Sequence, residues 1–251
     1  MTEEAAGEET FISHLIELRD RLVRATVGVL VACVGLFIWP GPARIYDFLA
    51  APMLAALPTG AKMIATGVAA PFLVPMKVTL VLAVIIMLPW VFYQIWAFIA
   101  PGLYAHEKRL VLPLVISSSL LFVAGVAFCY FLVFGRVFHF ITEFAPTSIA
   151  VMPDIENYLD FVMTMCLSFG ATFEVPVVVV ILVRMGIVSV EKLRSIRPYA
   201  IVAAFVIAAV VTPPDIVSQL ALAIPMWLLF ELGLIMAPVF VRVTQAPEEH
   251  A

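Results

Sequence analysis

Two long apolar runs without a charged residue restrict this chain more than any other feature. Val78 to Ala97 contains 20 residues without Asp, Glu, Lys or Arg, and the run from Leu110 to Gly135 is equally free of charge. A helix of about 20 apolar residues crosses the roughly 30 Å hydrocarbon core of a bilayer. Because 64% of all residues are hydrophobic and only 13% are charged, the sequence predicts an all-α, polytopic membrane protein.

Prolines, glycines and charged residues divide this single membrane domain into six predicted spans. A polar N-terminal tail (1–10) and an interfacial amphipathic helix (11–22) precede the first span. The spans are expected at about 23–39, 76–99, 110–141, 155–184, 199–211 and 216–240, followed by a C-terminal tail at 242–251. The fifth run has only 13 apolar residues, or about 20 Å of helix. Glu231 interrupts the sixth run and is expected to be solvated near a span end, so the last two spans are both short, and together they predict local thinning of the bilayer.

Basic residues near the ends of the spans predict which side of the membrane each loop faces. If both termini lie on one side, that side has ten of the 14 Lys and Arg residues, and the opposite side has four. Lys and Arg concentrate in cytoplasmic loops. The termini and the loop from Phe98 to Arg109 are therefore predicted to be cytoplasmic, whereas 43–75 and 142–156 are expected outside, the first as an ordered cap with a surface helix.

Two acidic residues on the predicted cytoplasmic face are candidate cation-binding groups. Pro101 and Gly102 end one span, and Glu107 follows in the first turn of the next helix, where a carboxylate also complements the helix dipole. Glu17 lies on the amphipathic helix four residues before Arg21, a spacing that favours an internal ion pair. The residues leave two interpretations open, either ion-paired surface acids or a surface that binds a cationic partner.

Glu174 lies near the middle of the fourth span, where a carboxylate costs about 3 kcal/mol on insertion scales. It is expected to face a wet cavity or a partner, or to be protonated. Pro176 should loosen the helix and Gly170 should allow a neighbouring helix to approach. One alternative is a proton-coupled carrier of small solutes with Glu174 as its relay, although no internal repeat supports it. Another is a neutral glutamic acid that is hydrogen-bonded to Ser168, to Thr172 or to a neighbouring helix.

Enzyme signatures are missing from the sequence. There is no GxSxG elbow and no phosphate-binding glycine loop, and Leu110 stands where a zinc-protease motif needs its second histidine. An intramembrane hydrolase is a weak alternative, because His106 and His139 are predicted near opposite membrane faces. No enzyme activity, cofactor, metal or nucleic acid is predicted. Three cysteines lie within apolar runs and are expected to be packing residues: Cys33, Cys129 and Cys166.

Five separated motifs resemble those of the twin-arginine protein translocase receptor subunit, the TatC family. They are HLxELRxRL at 14–22, FxxPGLYxxEKR at 98–109, SFGxxFExP at 168–176, RPY at 197–199 and TPPD at 212–215. The resemblance implies a cupped bundle of six transmembrane helices in the bacterial inner membrane. It also implies binding of twin-arginine signal peptides on folded precursors, self-association, contact with small single-span partners of the TatA and TatB types, and transport driven by the protonmotive force.

The resemblance implies roles for individual residues as well. Glu17 and Glu107 match the family's contacts to the signal arginines, with Arg19 and Phe98 in the same cytoplasmic patch. Glu174 matches a position on the concave face. The positions implied as structural or partner contacts are Pro52 in the outer cap, Pro101 in the cytoplasmic loop and Asp215 in the last outer loop.

Overall fold

The predicted all-α class is confirmed by a computed structural model that describes residues 2–57, 62–99, 111–144, 152–212 and 215–242. The α-helices of these residues are α1 (Thr2–Ile38), α2 (Pro42–Ala56), α3 (Ala70–Ile86), α4 (Leu88–Ile99), α5 (Val111–Phe128), α6 (Phe134–Glu143), α7 (Ile155–Phe173), α8 (Val175–Arg184), α9 (Val190–Ser195), α10 (Arg197–Val211) and α11 (Ile216–Arg242). A π-helix, Cys129–Val133, joins α5 to α6. The described residues form two compact units, Met1–Ile45 with Pro75–Ser119 and Tyr46–Val74 with Leu120–Ala251.

Several helices are long and apolar enough to cross a membrane. Four such stretches are Ser13–Ile38, Val111–Glu143, Ile155–Arg184 and Ile216–Val239. The pair α3 and α4 makes a fifth if it counts as one span. With its 15 residues, α10 is shorter than these, as its sequence predicts. The chain is therefore a multi-pass membrane protein.

Two of the predicted spans are broken helices. The span predicted at 76–99 consists of α3 and α4, which meet at Met87 with a bend of 54°. Pro89 explains this correction, because proline lacks the N–H of the helical ladder and disfavours helix at the preceding residue. The span at 155–184 is interrupted at Glu174, two residues before Pro176 in the first turn of α8. The loosening predicted from Pro176 is confirmed. In contrast, α1 continues through 1–10, 11–22 and 23–39 without a break after Thr2.

Aromatic rings and small residues form the core of the second unit. The rings of Phe134 and Phe138 are buried and lie 5.4 Å apart. A Cβ atom on Gly125 would lie 2.5 Å from the carbonyl oxygen of Phe169, so α5 and α7 are in backbone contact there. The three cysteines are unbridged, and two of them lie in this core as packing residues, Cys129 and Cys166.

The predicted outer cap contains the surface helix expected near Ile45 to Leu57, which is α2. Two tyrosine hydroxyls fix its backbone to the rest of the second unit. Tyr130 donates to the carbonyl of Phe48 at 2.6 Å, and Tyr158 donates to the carbonyl of Leu49 at 2.8 Å. The carbonyl of Phe48 lies four residues before Pro52, which has no N–H to donate, so the bond from Tyr130 gives this carbonyl a partner.

Asp154 joins two segments of this outer region. It is the N-cap of α7, and its Oδ1 accepts from the backbone N–H groups of Glu156 and Asn157. Its Oδ2 accepts from the hydroxyl of Thr66 at 2.7 Å and from the Thr66 N–H at 3.0 Å. The backbones of Ile64 and Asp154 also form an isolated parallel β-bridge. The hydrogen bond from the Thr66 hydroxyl, followed by the backbone bonds, lowers the pKa of Asp154 to about 2.

The Asp154→Asn variant is expected to melt at a lower temperature than the wild type at pH 7, because an amide nitrogen cannot accept from Thr66. Since folding lowers this pKa from 3.8 to about 2, the stabilisation is complete above pH 3.8 and is lost as the pH falls through 2. The difference in melting temperature between wild type and variant, measured in detergent micelles, should therefore shrink as the pH falls from about 4 to about 2. The exposed Asp160 of α7 offers a matched control, and Asp160→Asn should show no such convergence.

Candidate functional site

The stretch of α1 from His14 to Gly28 is attached to α4 by three contacts. The ring of His14 stacks on the ring of Phe98 with centroids 4.5 Å apart. One helical turn beyond Arg21, the carbonyl of Arg24 accepts from Trp90 Nε1 at 3.1 Å. A Cβ atom on Gly28 would lie 2.8 Å from the Trp90 ring, so only glycine allows this approach. The two helices are therefore held side by side over the stretch that includes Glu17.

Glu17 is ion-paired with Arg21, as the four-residue spacing predicts. Arg21 donates Nη2 and Nε to Glu17 Oε1 at 2.6 and 2.9 Å. The side chain of Arg21 is 20% exposed and that of Glu17 is 36% exposed. Both donors bond the same oxygen, so Glu17 Oε2 lies outside this ion pair.

Arg19 and Phe98, the other members of the predicted patch, differ in environment. Arg19 is exposed and donates to Asp20 Oδ1 at 2.8 Å through Nη2 and at 3.0 Å through Nε. Phe98 is half-buried against His14, one residue before α4 ends at Ile99. Glu107 and Pro101 lie outside the described residues. The segment that carries them leaves α4 directly after the Phe98–His14 contact.

Glu174 lies at the break between α7 and α8. Its backbone N–H donates to the carbonyl of Ala171 at 3.1 Å, and its own carbonyl accepts from Val178 at 3.0 Å. The side chain is half-buried, and its Oε1 atom has no contact with solvent. Because Pro176 donates no N–H, the carbonyl of Thr172 loses its usual partner in the helical ladder. The structure thus puts a carboxyl group beside an interrupted ladder inside an apolar helix.

Two further predicted residues have local structural roles. Asp215 caps the start of α11, where its Oδ1 accepts from the N–H of Ser218 at 2.7 Å. Pro52 lies inside α2 and is half-buried. Neither residue lies near the ion pair of Glu17 in sequence, and each belongs to the second unit.

Two polar features escaped the sequence analysis. Glu231 was expected to be solvated near a span end, but it accepts from Arg197 Nη2 at 2.7 Å and is mostly shielded from solvent. The sequence signals for this ion pair were a single acidic residue within α11 and a basic residue at the start of α10. Gln94 of α4 is 4% exposed, and its Oε1 has no hydrogen-bond partner in the described part of the chain. The sequence signal for Gln94 was a single amide side chain within an otherwise apolar run.

The ion pair of Glu17 with Arg21 shows that this carboxylate binds a guanidinium group. The described residues include no cluster of three His, Cys, Asp or Glu side chains that could hold a metal ion. A guanidinium group presents planar donors that match a carboxylate. The arrangement near α1 and α4 is therefore a candidate site for an arginine-containing ligand.

Comparison with known proteins gives consistent matches. The family model described as Sec-independent protein translocase protein (TatC) matches residues 13–225. A protein of that description from Azotobacter chroococcum mcd 1 is 52% identical over 222 residues, which cover 88% of this chain and 86% of the relative. One from Escherichia coli strain K12 is 48% identical over 241 residues, with 96% and 93% covered.

Solved structures also resemble the described fold. One described as the crystal structure of the twin arginine translocase receptor TatC has a TM-score of 0.77 and 35% sequence identity. The match covers 90% of this chain and 98% of that structure. A second, determined in the detergent DDM, has a TM-score of 0.79 and 34% identity, with 89% and 99% covered.

Proposed function

The chain belongs to the TatC family of Sec-independent protein translocase proteins, and on that premise we propose that it is the translocase subunit that binds twin-arginine signal peptides. Glu17 and Glu107 would each accept one signal arginine, with Arg19 and Phe98 beside them. The stacking of His14 on Phe98 is the observation that carries this proposal. It brings the helix of Glu17 to the point where the segment containing Glu107 begins.

The chemistry of the pairing explains why arginine would be selected. A guanidinium group is planar and always charged, whereas a lysine ammonium is a point charge without a fork of donors. Each charged hydrogen-bonded pair contributes about 1.5 to 3 kcal/mol, so two pairs alone give no tight complex. The apolar segment of the signal peptide must supply the remainder. We propose that this segment binds near Glu174.

The proposed topology has six spans with both termini in the cytoplasm of a bacterium, in its inner membrane. The excess of Lys and Arg on that side supports this orientation. The sixth span would be α10, which is apolar although shorter than the others. Arg197 and Glu231 would then pair near the cytoplasmic surface, at the end of a short hairpin formed with α11.

The protein would act as a receptor and scaffold within a larger assembly rather than as an enzyme. Its partners would be folded precursors with twin-arginine signals, small single-span subunits of the TatA and TatB types, further copies of itself, and membrane lipid. The protonmotive force would drive transport. Pro52 and Asp215 shape the outer surfaces that such partners would contact, and Pro101 would fix the turn before Glu107.

The test replaces Glu17 and Glu107 separately with glutamine in the full-length protein and measures photo-crosslinking to a twin-arginine precursor. Each variant should lower the crosslinking yield about tenfold or more, the factor that follows from losing one charged pair. Glu191→Gln is the matched control, because Glu191 is an exposed acid of α9 on the same predicted face. Undiminished crosslinking in both site variants would refute the assignment.

A further inference from the structure

The carboxylate proposed to receive a signal arginine is already bound by an arginine of the chain itself. Arg21 makes two N–H bonds to Glu17 Oε1, and its side chain is the less exposed partner. This is the same chemical pairing that an arriving arginine would make. A guanidinium group that takes both carboxylate oxygens of Glu17 must therefore compete with Arg21 for Oε1.

The ion pair lies along the stripe of α1 that contacts α4. Positions 14, 17, 21, 24 and 28 follow a spacing of three and four and share one helix face. The first member of the stripe stacks on Phe98, and the last two contact Trp90. Glu17 and Arg21 occupy the two middle positions, so they belong to the same α4-facing stripe.

Gln94 lies at the corresponding middle position of α4. Trp90, Gln94 and Phe98 follow one another at intervals of four residues and so share one face of α4. Both outer members contact α1, and Gln94 between them is 4% exposed with Oε1 lacking a donor among the described residues. A buried amide oxygen without a donor is costly, and a guanidinium group has five N–H donors.

We propose that Arg21 is a resident arginine that occupies Glu17 in the free receptor, and that Gln94 accepts its guanidinium when a signal arginine displaces it. This inference rests on the proposed function of Glu17. The resident pair lowers the apparent affinity of every cationic ligand by one common factor, because only the fraction of receptors with a released Glu17 can bind. Signal peptides with lysines have a lower intrinsic affinity for Glu17, so this factor makes their binding too weak for recognition. Signal peptides with arginines retain enough affinity to be recognised.

The first test uses the full-length protein in lipid nanodiscs and synthetic signal peptides with either two arginines or two lysines. The Arg21→Gln variant should bind both peptides about 3- to 10-fold more tightly, by nearly the same factor, since a partly exposed pair is being removed. Arg21→Lys, which retains the charge without the fork of donors, should give a smaller gain. Arg194→Gln removes an exposed basic residue of α9 that is not part of this stripe and should change affinity by less than about twofold. Unchanged or weaker binding in Arg21→Gln would overturn the proposal.

The second test examines Gln94 by a double-mutant cycle. Gln94→Leu should weaken binding of the arginine peptide about threefold or more when Arg21 is present, and by less than about twofold in the Arg21→Gln background. An equal loss in both backgrounds would refute the role of Gln94. Glu17→Gln separates the two levels of the argument. If it leaves binding intact, the proposed function fails; if it weakens binding while Arg21→Gln also weakens it, only the resident arginine fails.

Discussion

Replacing Gly125 with alanine is expected to lower the melting temperature of the purified protein by roughly 5 to 10 °C. The new Cβ would lie 2.5 Å from the carbonyl oxygen of Phe169 and 2.9 Å from its carbonyl carbon. Both atoms belong to the backbone of α7, so no side-chain rotation relieves the overlap and the two helices must separate. Thermal unfolding in detergent micelles, followed by size-exclusion chromatography, measures the effect.

Gly135 is the matched control for this substitution. It lies in α6, and a Cβ atom built there would meet nothing within 4 Å. Alanine favours helix over glycine by about 1 kcal/mol, so Gly135→Ala should leave the melting temperature unchanged or raise it slightly. Equal losses of melting temperature in both variants would show that the contact between Gly125 and Phe169 does not cause the loss in Gly125→Ala.

Local sequence signals predicted the parts of the fold that depend on short-range physics. Charge-free runs predicted the apolar helices, and Pro176 predicted the break beside Glu174. The pairing of Glu17 with Arg21 followed from helical spacing alone. The helix break at Glu174 and the ion pair of Glu17 are each determined within about one or two helical turns, so the residues involved are neighbours in the sequence.

Features that depend on packing between distant segments were not predictable in this way. The bond of Arg197 to Glu231 joins residues 34 positions apart, and that of Thr66 to Asp154 joins residues 88 positions apart. The burial of Gln94 likewise requires knowledge of which helices surround α4. Within the candidate site, the sequence identified the acid on α1, whereas its attachment to α4 through His14 required three-dimensional structure.

Lengthening α10 by one turn is expected to abolish transport while leaving signal-peptide binding intact. At 15 residues and 1.5 Å per residue, α10 is about 22 Å long, well below the roughly 30 Å of an average hydrocarbon core. A bilayer that contacts so short a helix becomes locally thinner. We propose that this thinning lowers the barrier to passage of a folded precursor, so four inserted residues, which add about 6 Å, remove the advantage.

The insertion, Leu-Ala-Leu-Ala, belongs directly after Tyr199. At that point Ala204 and Ala208, which are buried in the second unit, keep their register. Arg197 is then carried away from Glu231, so the loss of that ion pair needs its own control. Arg197→Gln breaks the same pair without adding length. Export of a folded twin-arginine precursor should fall at least about tenfold with the insertion and clearly less with Arg197→Gln, whereas wild-type export after the insertion would exclude thinning by α10.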